Sequence, residues 1–196
     1  MTSSIHKRRD MLILMVVHIG ETLGHLVRAL AIADELVNRE YRVEIAASKA
    51  AEWLLGVWPR RYHHHVIRWG FSHNSCNPHR ASSFFLGQVV EASAGVLELM
   101  KCLSPDIILG FPGIVTSQCA RRLGVPHISI LHGPYLSPLV CLKDATFEEK
   151  RVLDFANDIL CGGCMDGIYS YLSHQLGVPE LTYGEYLSTE SILVPQ

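Results

Sequence analysis

The strongest constraint on this chain is a junction near its start. An apolar run, Met11 to Val17, empties into Gly20-Glu21-Thr22-Leu23-Gly24-His25 and then into an amphipathic run, Leu26 to Asn38. A short continuous apolar run followed by a glycine-bearing turn and a 3.6-residue periodicity predicts a buried parallel strand leading into a helix packed on the sheet. Leu26, Leu30, Ala33 and Val37 recur at helical spacing, with Ala29, Ile32 and Leu36 beside them. Arg28, Asp34, Glu35 and Asn38 supply the polar face.

The same alternation continues along the chain. Arg42 to Ala47 predicts a second strand, and Ser48 stands where an N-cap would open a helix through Leu55. His64 to Trp69 reads as a third strand and 70–82 as a loop rich in Gly, Asn, Pro and Ser. Ser83 to Leu103 reads as a long helix stopped by Ser104-Pro105. Ile107 to Leu109 is a short strand before the turn Gly110-Phe111-Pro112-Gly113. Ile114 to Leu123 is a helix, with Gly124 at its left-handed cap. Strand His127 to Leu131 follows, then loop His132 to Pro138. A helical region from about Phe147 to Leu176 is interrupted at Cys161-Gly162-Gly163-Cys164, and Ser191 to Val194 opens a last strand. This order predicts an α/β fold: a Rossmann-like, doubly wound parallel sheet with helices on both faces.

Composition narrows the function classes. With 196 residues the chain holds one sizeable domain, read as 1–196 with a loose polar tail at 1–10. The net charge of −2 gives no basic footprint for nucleic acid, although Lys7-Arg8-Arg9 cluster in the tail. No run reaches the length of a membrane span, and Met11 to Ile19 lacks a cleavage site, so no transmembrane segment and no signal peptide are expected. The six cysteines, at 76, 102, 119, 141, 161 and 164, sit mostly in apolar surroundings. They read as free buried thiols of a cytoplasmic protein.

Several segments together resemble a known family. Gly20-Glu21-Thr22-Leu23-Gly24-His25, running into Ala29 to Leu36, resembles the N-terminal motif of the GT-B glycosyltransferases, nucleotide-sugar enzymes built from two Rossmann-like domains. The macrolide, plant secondary-metabolite, UDP-glucuronosyltransferase-like and peptidoglycan lipid-intermediate enzymes carry similar motifs. Tyr41 to Ala47 resembles their second strand, Ser104 to Gly110 the fourth, and Ala120 to Pro126 the helix and turn after it. Tyr135-Leu136-Ser137-Pro138 and Leu176-Gly177-Val178-Pro179 fit the same pattern. The resemblance extends from about Met11 to Pro195. It implies the acceptor-binding half, with the C-terminal donor-binding domain absent from these residues.

What the resemblance implies about chemistry centres on His25. Transfer to a hydroxyl requires the acceptor oxygen to lose a proton, and an imidazole titrating near neutrality suits that task. His25 is the expected general base. Gly24 lets the backbone approach the ligand, and Glu21, Phe111, His132 and Tyr135 are the expected acceptor contacts. In many plant-type relatives an aspartate after the fourth strand orients the histidine, and here Phe111 stands at that position. Phenylalanine cannot accept an imidazole proton. The histidine therefore works without that partner, or another acid serves, or the copy is inactive.

The reading is a hexosyltransferase-type glycosyltransferase half, inactive by itself. It would work with a nucleotide-sugar donor, a small-molecule or lipid acceptor, and a donor-binding domain or partner chain. The alternative is a non-catalytic binding module or truncated partner subunit of the same fold. A dinucleotide-dependent oxidoreductase is disfavoured, because only Gly20 and Gly24 remain of the Gly-x-Gly-x-x-Gly pattern. No cofactor and no metal are expected. His63-His64-His65 alternates faces on a strand, so three rings cannot meet on one ion. Cys161-Gly162-Gly163-Cys164 supplies only two ligands, and its glycines suggest a break between helices. His18, at the end of the first strand, reads as a packed structural residue. Phe84, Phe85 and Leu86 read either as acceptor-cleft or core residues.

Overall fold

The computed structural model describes residues 11–17, 24–68, 83–111, 113–131, 164–189 and 191–193. Among these residues, six parallel strands form one sheet: β1 (Leu12–Val17), β2 (Arg42–Ala47), β3 (His63–Val66), β4 (Ile107–Phe111), β5 (His127–Ile130) and β6 (Ser191–Leu193). Their order is β3-β2-β1-β4-β5-β6. The strands alternate with helices α1 (Gly24–Asn38), α2 (Glu52–Val57), α3 (Ser83–Leu103), α4 (Ile114–Leu123), α5 (Cys164–Leu176) and α6 (Tyr183–Thr189).

β1 lies at the centre, flanked by β2 and β4, and all six of its residues are buried. That explains why its sequence is apolar without alternation: both faces are covered. One face packs Ile13, Met15, Val17, Val43, Ile45, Ala47 and Phe111 against Leu26, Ala29, Leu30 and Ala33 of α1. The other packs Leu14, Val16, Ala46 and Ile108 against residues of α3, α4, α5 and α6. Each large aliphatic side chain so buried contributes about 1.5–3 kcal/mol. Asp106 fixes the register of β4 on β1: Leu12 N donates to Asp106 Oδ2 at 2.8 Å, and Asp106 N donates to Leu12 O at 2.9 Å.

The elements expected from sequence are present where the residues are described; α2 runs on to Val57 and β5 stops at Ile130, and there are four larger differences. β4 runs through Phe111, because Gly110 pairs with Val16 and Ser129, and Phe111 with Val17. Ser48 occupies a cap position without a side-chain cap bond, and the segment opens as a 3₁₀ turn, Lys49–Ala51, before α2. β3 begins one residue earlier and ends at Val66. The fourth is α6, which periodicity does not reveal. Its signal is the box Thr182-x-x-Glu185: Glu185 N donates to Thr182 Oγ1 at 3.2 Å, and Thr182 N donates to Glu185 Oε2 at 2.8 Å. These bonds, the backbone one foremost, hold the Glu185 carboxyl below its usual range. The tail 1–10, the loop 70–82 and the Cys161-Gly162-Gly163 break lie outside the described residues.

Of the two cysteines whose side chains are described, Cys119 is buried and Cys102 is exposed on the last turn of α3. Cys102 therefore departs from the expected buried thiol. Burial pushes the Cys119 thiol up to about 12, because a thiolate there would lose its hydration. Iodoacetamide at neutral pH should alkylate Cys102 and leave Cys119 unmodified, read by peptide mass spectrometry of the native chain. Comparable labelling of Cys119 would show that α3 and α4 open readily.

Candidate functional site

The strand order reverses its direction of growth between β1 and β4. In an open parallel sheet, the crevice beyond the carboxyl ends at such a point is where ligands bind. Val17 and Phe111, the last residues of β1 and β4, pair with one another. The carboxyl ends of the two strands therefore lie side by side. Segment 18–23 leads to α1, whose first two residues are Gly24 and His25. Residues 112–113 lead to α4, whose N-cap position is Gly113.

His25 is half-buried in the first turn of α1, and the next residue, Leu26, anchors that turn in the core. Phe111 is fully buried in the same cluster as Leu26, Val17 and Ile130. Its ring packs beneath the switch point, where an acceptor-contacting residue would need an open face. The position where the resemblance to plant-type enzymes leads to the expectation of an orienting aspartate thus holds a core side chain here. Glu21, His132, Tyr135, His18, Gly20 and the side chains of Phe84, Phe85 and Leu86 lie outside the described residues. β5 ends at Ile130, followed by the buried Leu131.

The turn after β4 is held by close packing. A Cβ on Gly110 would lie 2.5 Å from Gly113 Cα and 2.4 Å from Thr116 Oγ1. A Cβ on Gly113 would lie 2.2 Å from Ser129 Oγ. Behind these glycines runs a polar seam that sequence reading does not reveal. His127 Nε2 and Thr116 Oγ1 are 3.0 Å apart, and Ser129 Oγ bonds the Tyr186 hydroxyl. Tyr186 and Tyr169 stack with centroids 5.0 Å apart, tying α5 and α6 to β5. These bonds satisfy polar groups inside the layer and fix where α4 begins.

A second polar cluster lies at the sheet edge. Glu44 of β2 is 3% exposed and contacts His63 and His65 of β3, with Arg42 on its other oxygen. Burial raises the Glu44 carboxyl, but the His65 and Arg42 bonds outweigh it and hold the group below its usual range. The strand alternation separates His64 from this pair: its Nε2 lies 3.4 Å from Ala47 O on the α2 side.

A parallel sheet that reverses its order between β1 and β4, with helices on both faces, is a Rossmann-like architecture. No protein-family model matches the chain. Over 119 residues, 60% of its length, the chain is 34% identical to the PGL/p-HBAD biosynthesis rhamnosyltransferases of Mycobacterium tuberculosis and Mycobacterium bovis. That match covers 26% of their length, so the chain spans only part of these relatives. Among solved structures, the calicheamicin glycosyltransferase CalG4 superposes with a TM-score of 0.59 at 15% identity, over 94% of this chain and 46% of CalG4. The glycotransferase of kitacinnamycin gives 0.55 at 19% identity, over 93% and 45%. Glycosyltransferase VinC, solved in complex with DTDP, gives 0.55 at 14%, over 94% and 49%. The chain has the fold of one Rossmann-like half of a GT-B glycosyltransferase. Among the described residues no helix is long and apolar enough to cross a membrane.

Proposed function

We propose that the chain is the acceptor-binding half of a glycosyltransferase, acting in the cytoplasm. It moves a sugar from a nucleotide-sugar donor to a hydroxyl of a small-molecule or lipid acceptor. What supports this reading is that His25 lies in the first turn of α1, the helix that follows the central strand β1, and that the carboxyl end of β1 pairs with that of β4. There a neutral imidazole accepts the acceptor's hydroxyl proton as the oxygen attacks the anomeric carbon. Gly24 keeps the backbone bare beside the ligand, and Glu21, His132 and Tyr135 line the acceptor side. Phe111 supports the junction from below. The donor-binding half, in a further domain or a partner chain, holds the departing diphosphate and brings the sugar in line. Similarity to a rhamnosyltransferase makes nucleotide-activated rhamnose the first donor to try.

The competing reading is a binding module that uses the fold without transfer. Phe111 in place of an orienting acid favours it. The two separate on one experiment. The chain alone and the chain joined to a donor-binding GT-B half are incubated with nucleotide-activated rhamnose and hydroxyl acceptors, and product is followed by mass spectrometry. The expected result is transfer by the joined protein only, since positioning both reactants supplies most of the rate. Turnover by the chain alone would overturn the two-half reading. A folded joined protein that binds acceptor without transfer would establish the binding module.

A further inference from the structure

We propose that Glu44, His63 and His65 form a binding site for a divalent transition-metal ion of the zinc class, which bolts the edge strand β3 to β2. Two imidazoles and one carboxylate are a donor set that zinc favours, with Zn–N and Zn–O distances near 2.0–2.2 Å. Ligand atoms sharing one tetrahedral zinc at such distances lie roughly 3.3–3.5 Å apart. Glu44 Oε2 and His63 Nδ1 already stand 3.4 Å apart. His65 Nε2 lies 2.6 Å from the same oxygen, as an N–H···O contact needs and a metal does not. Its withdrawal by less than about 1 Å, with loss of the proton, admits the ion. All three ligand atoms lie within 4.8 Å of one another.

The backbone presets this arrangement. Glu44 pairs across the ladder with His63, and Ala46 with His65, so the side chains of 44, 63 and 65 project from one face. The His63 and His65 rings meet edge to face at 4.5 Å. Arg42 holds the other Glu44 oxygen, which orients the carboxylate as an outer-shell partner does. Glu44 is buried while His63 is 71% exposed, so the site opens to solvent and leaves a fourth position for water.

The site is separate from the proposed catalytic junction. Glu44 lies on the sheet face opposite α1, because Val43 and Ile45 beside it pack with α1's core residues. The ion's work is therefore structural. β3 has four residues and, among the described residues, ends the sheet and pairs with β2 alone. A metal bridging the two strands holds this four-residue strand on β2 against local opening.

The test titrates the full chain with zinc by calorimetry and records the visible spectrum with cobalt(II). The expected result is uptake of one zinc with micromolar affinity and a tetrahedral cobalt spectrum. His63→Ala and His65→Ala should each weaken zinc binding at least tenfold. His64→Ala, on the opposite face, should bind as the parent does. Zinc at a hundred times its dissociation constant should raise the parent's Tm by roughly 5–10 °C and leave that of His65→Ala unmoved. No zinc uptake by the parent would overturn the proposal. So would an equal loss in His64→Ala, which would show a surface histidine run acting without geometry. Glu44→Gln, if circular dichroism shows it folded, should bind at least tenfold more weakly, and parental affinity in that folded variant would remove the carboxylate from the site.

Discussion

His25→Ala in the joined, two-half enzyme is expected to lower kcat by roughly 10²–10⁴-fold, the ordinary worth of a positioned general base. The loss falls mainly on kcat, because the proton is shared with the imidazole in the transition state and not in the bound ground state. The pH profile carries a second signature. A base must be deprotonated to act, so the parent's kcat rises with pH through the base's ionisation, and His25→Ala should lose that acidic limb. The fold should survive. His25 is half-buried at a helix start, whereas Leu26, Ala29, Leu30 and Ala33 carry the packing of α1. His18→Ala serves as the control and should cost far less. If both variants stay within a few-fold of the parent, His25 is not the base and the binding-module reading moves ahead.

Gly110→Ala is expected to lower stability by about 3 kcal/mol, the upper end of ordinary overpacking. The added carbon would meet Gly113 Cα at 2.5 Å and His127 Nε2 at 2.8 Å. Backbone cannot rotate away as a side chain can, so β4 and the start of α4 must separate. Gly110 also pairs with both Val16 and Ser129, which resists that movement from either side. Tm should fall by roughly 6–12 °C for a chain of this size. Gly95→Ala is the matched control. It lies mid-helix in α3 with nothing within 4 Å of an added carbon, so it should gain up to about 1 kcal/mol. A Gly110→Ala protein melting within about 2 °C of the parent would show that the turn after β4 is not tightly held.

The sequence by itself determined the alternation of strands and helices, and with it the parallel sheet. Those signals are local. The unbroken apolar run of β1 records burial on two faces, the Leu26-Leu30-Ala33 spacing records one buried helix stripe, and Gly124 at φ 68° records a left-handed cap. It also placed His25 at a strand-to-helix junction, since a turn lies within a few residues of the elements it joins. The box at Thr182 and Glu185 is a local signal too, but a reading by periodicity passes over a helix as short as α6.

Tertiary structure alone decided which junctions meet. The pairing of Val17 with Phe111 joins residues almost a hundred positions apart, and nothing near either residue encodes the partner. The same holds for Phe111 as core and for the seam from His127 to Tyr186. Glu44 shows the reason most clearly. On its own strand it is a charged residue interrupting an apolar run, and the histidine run places its rings on alternate faces. Side-chain alternation holds on both strands, yet the neighbouring strand's register brings Glu44 to the one face that His63 and His65 share. Which strand lies alongside is set by the packing of the whole sheet, and only the folded chain expresses that choice.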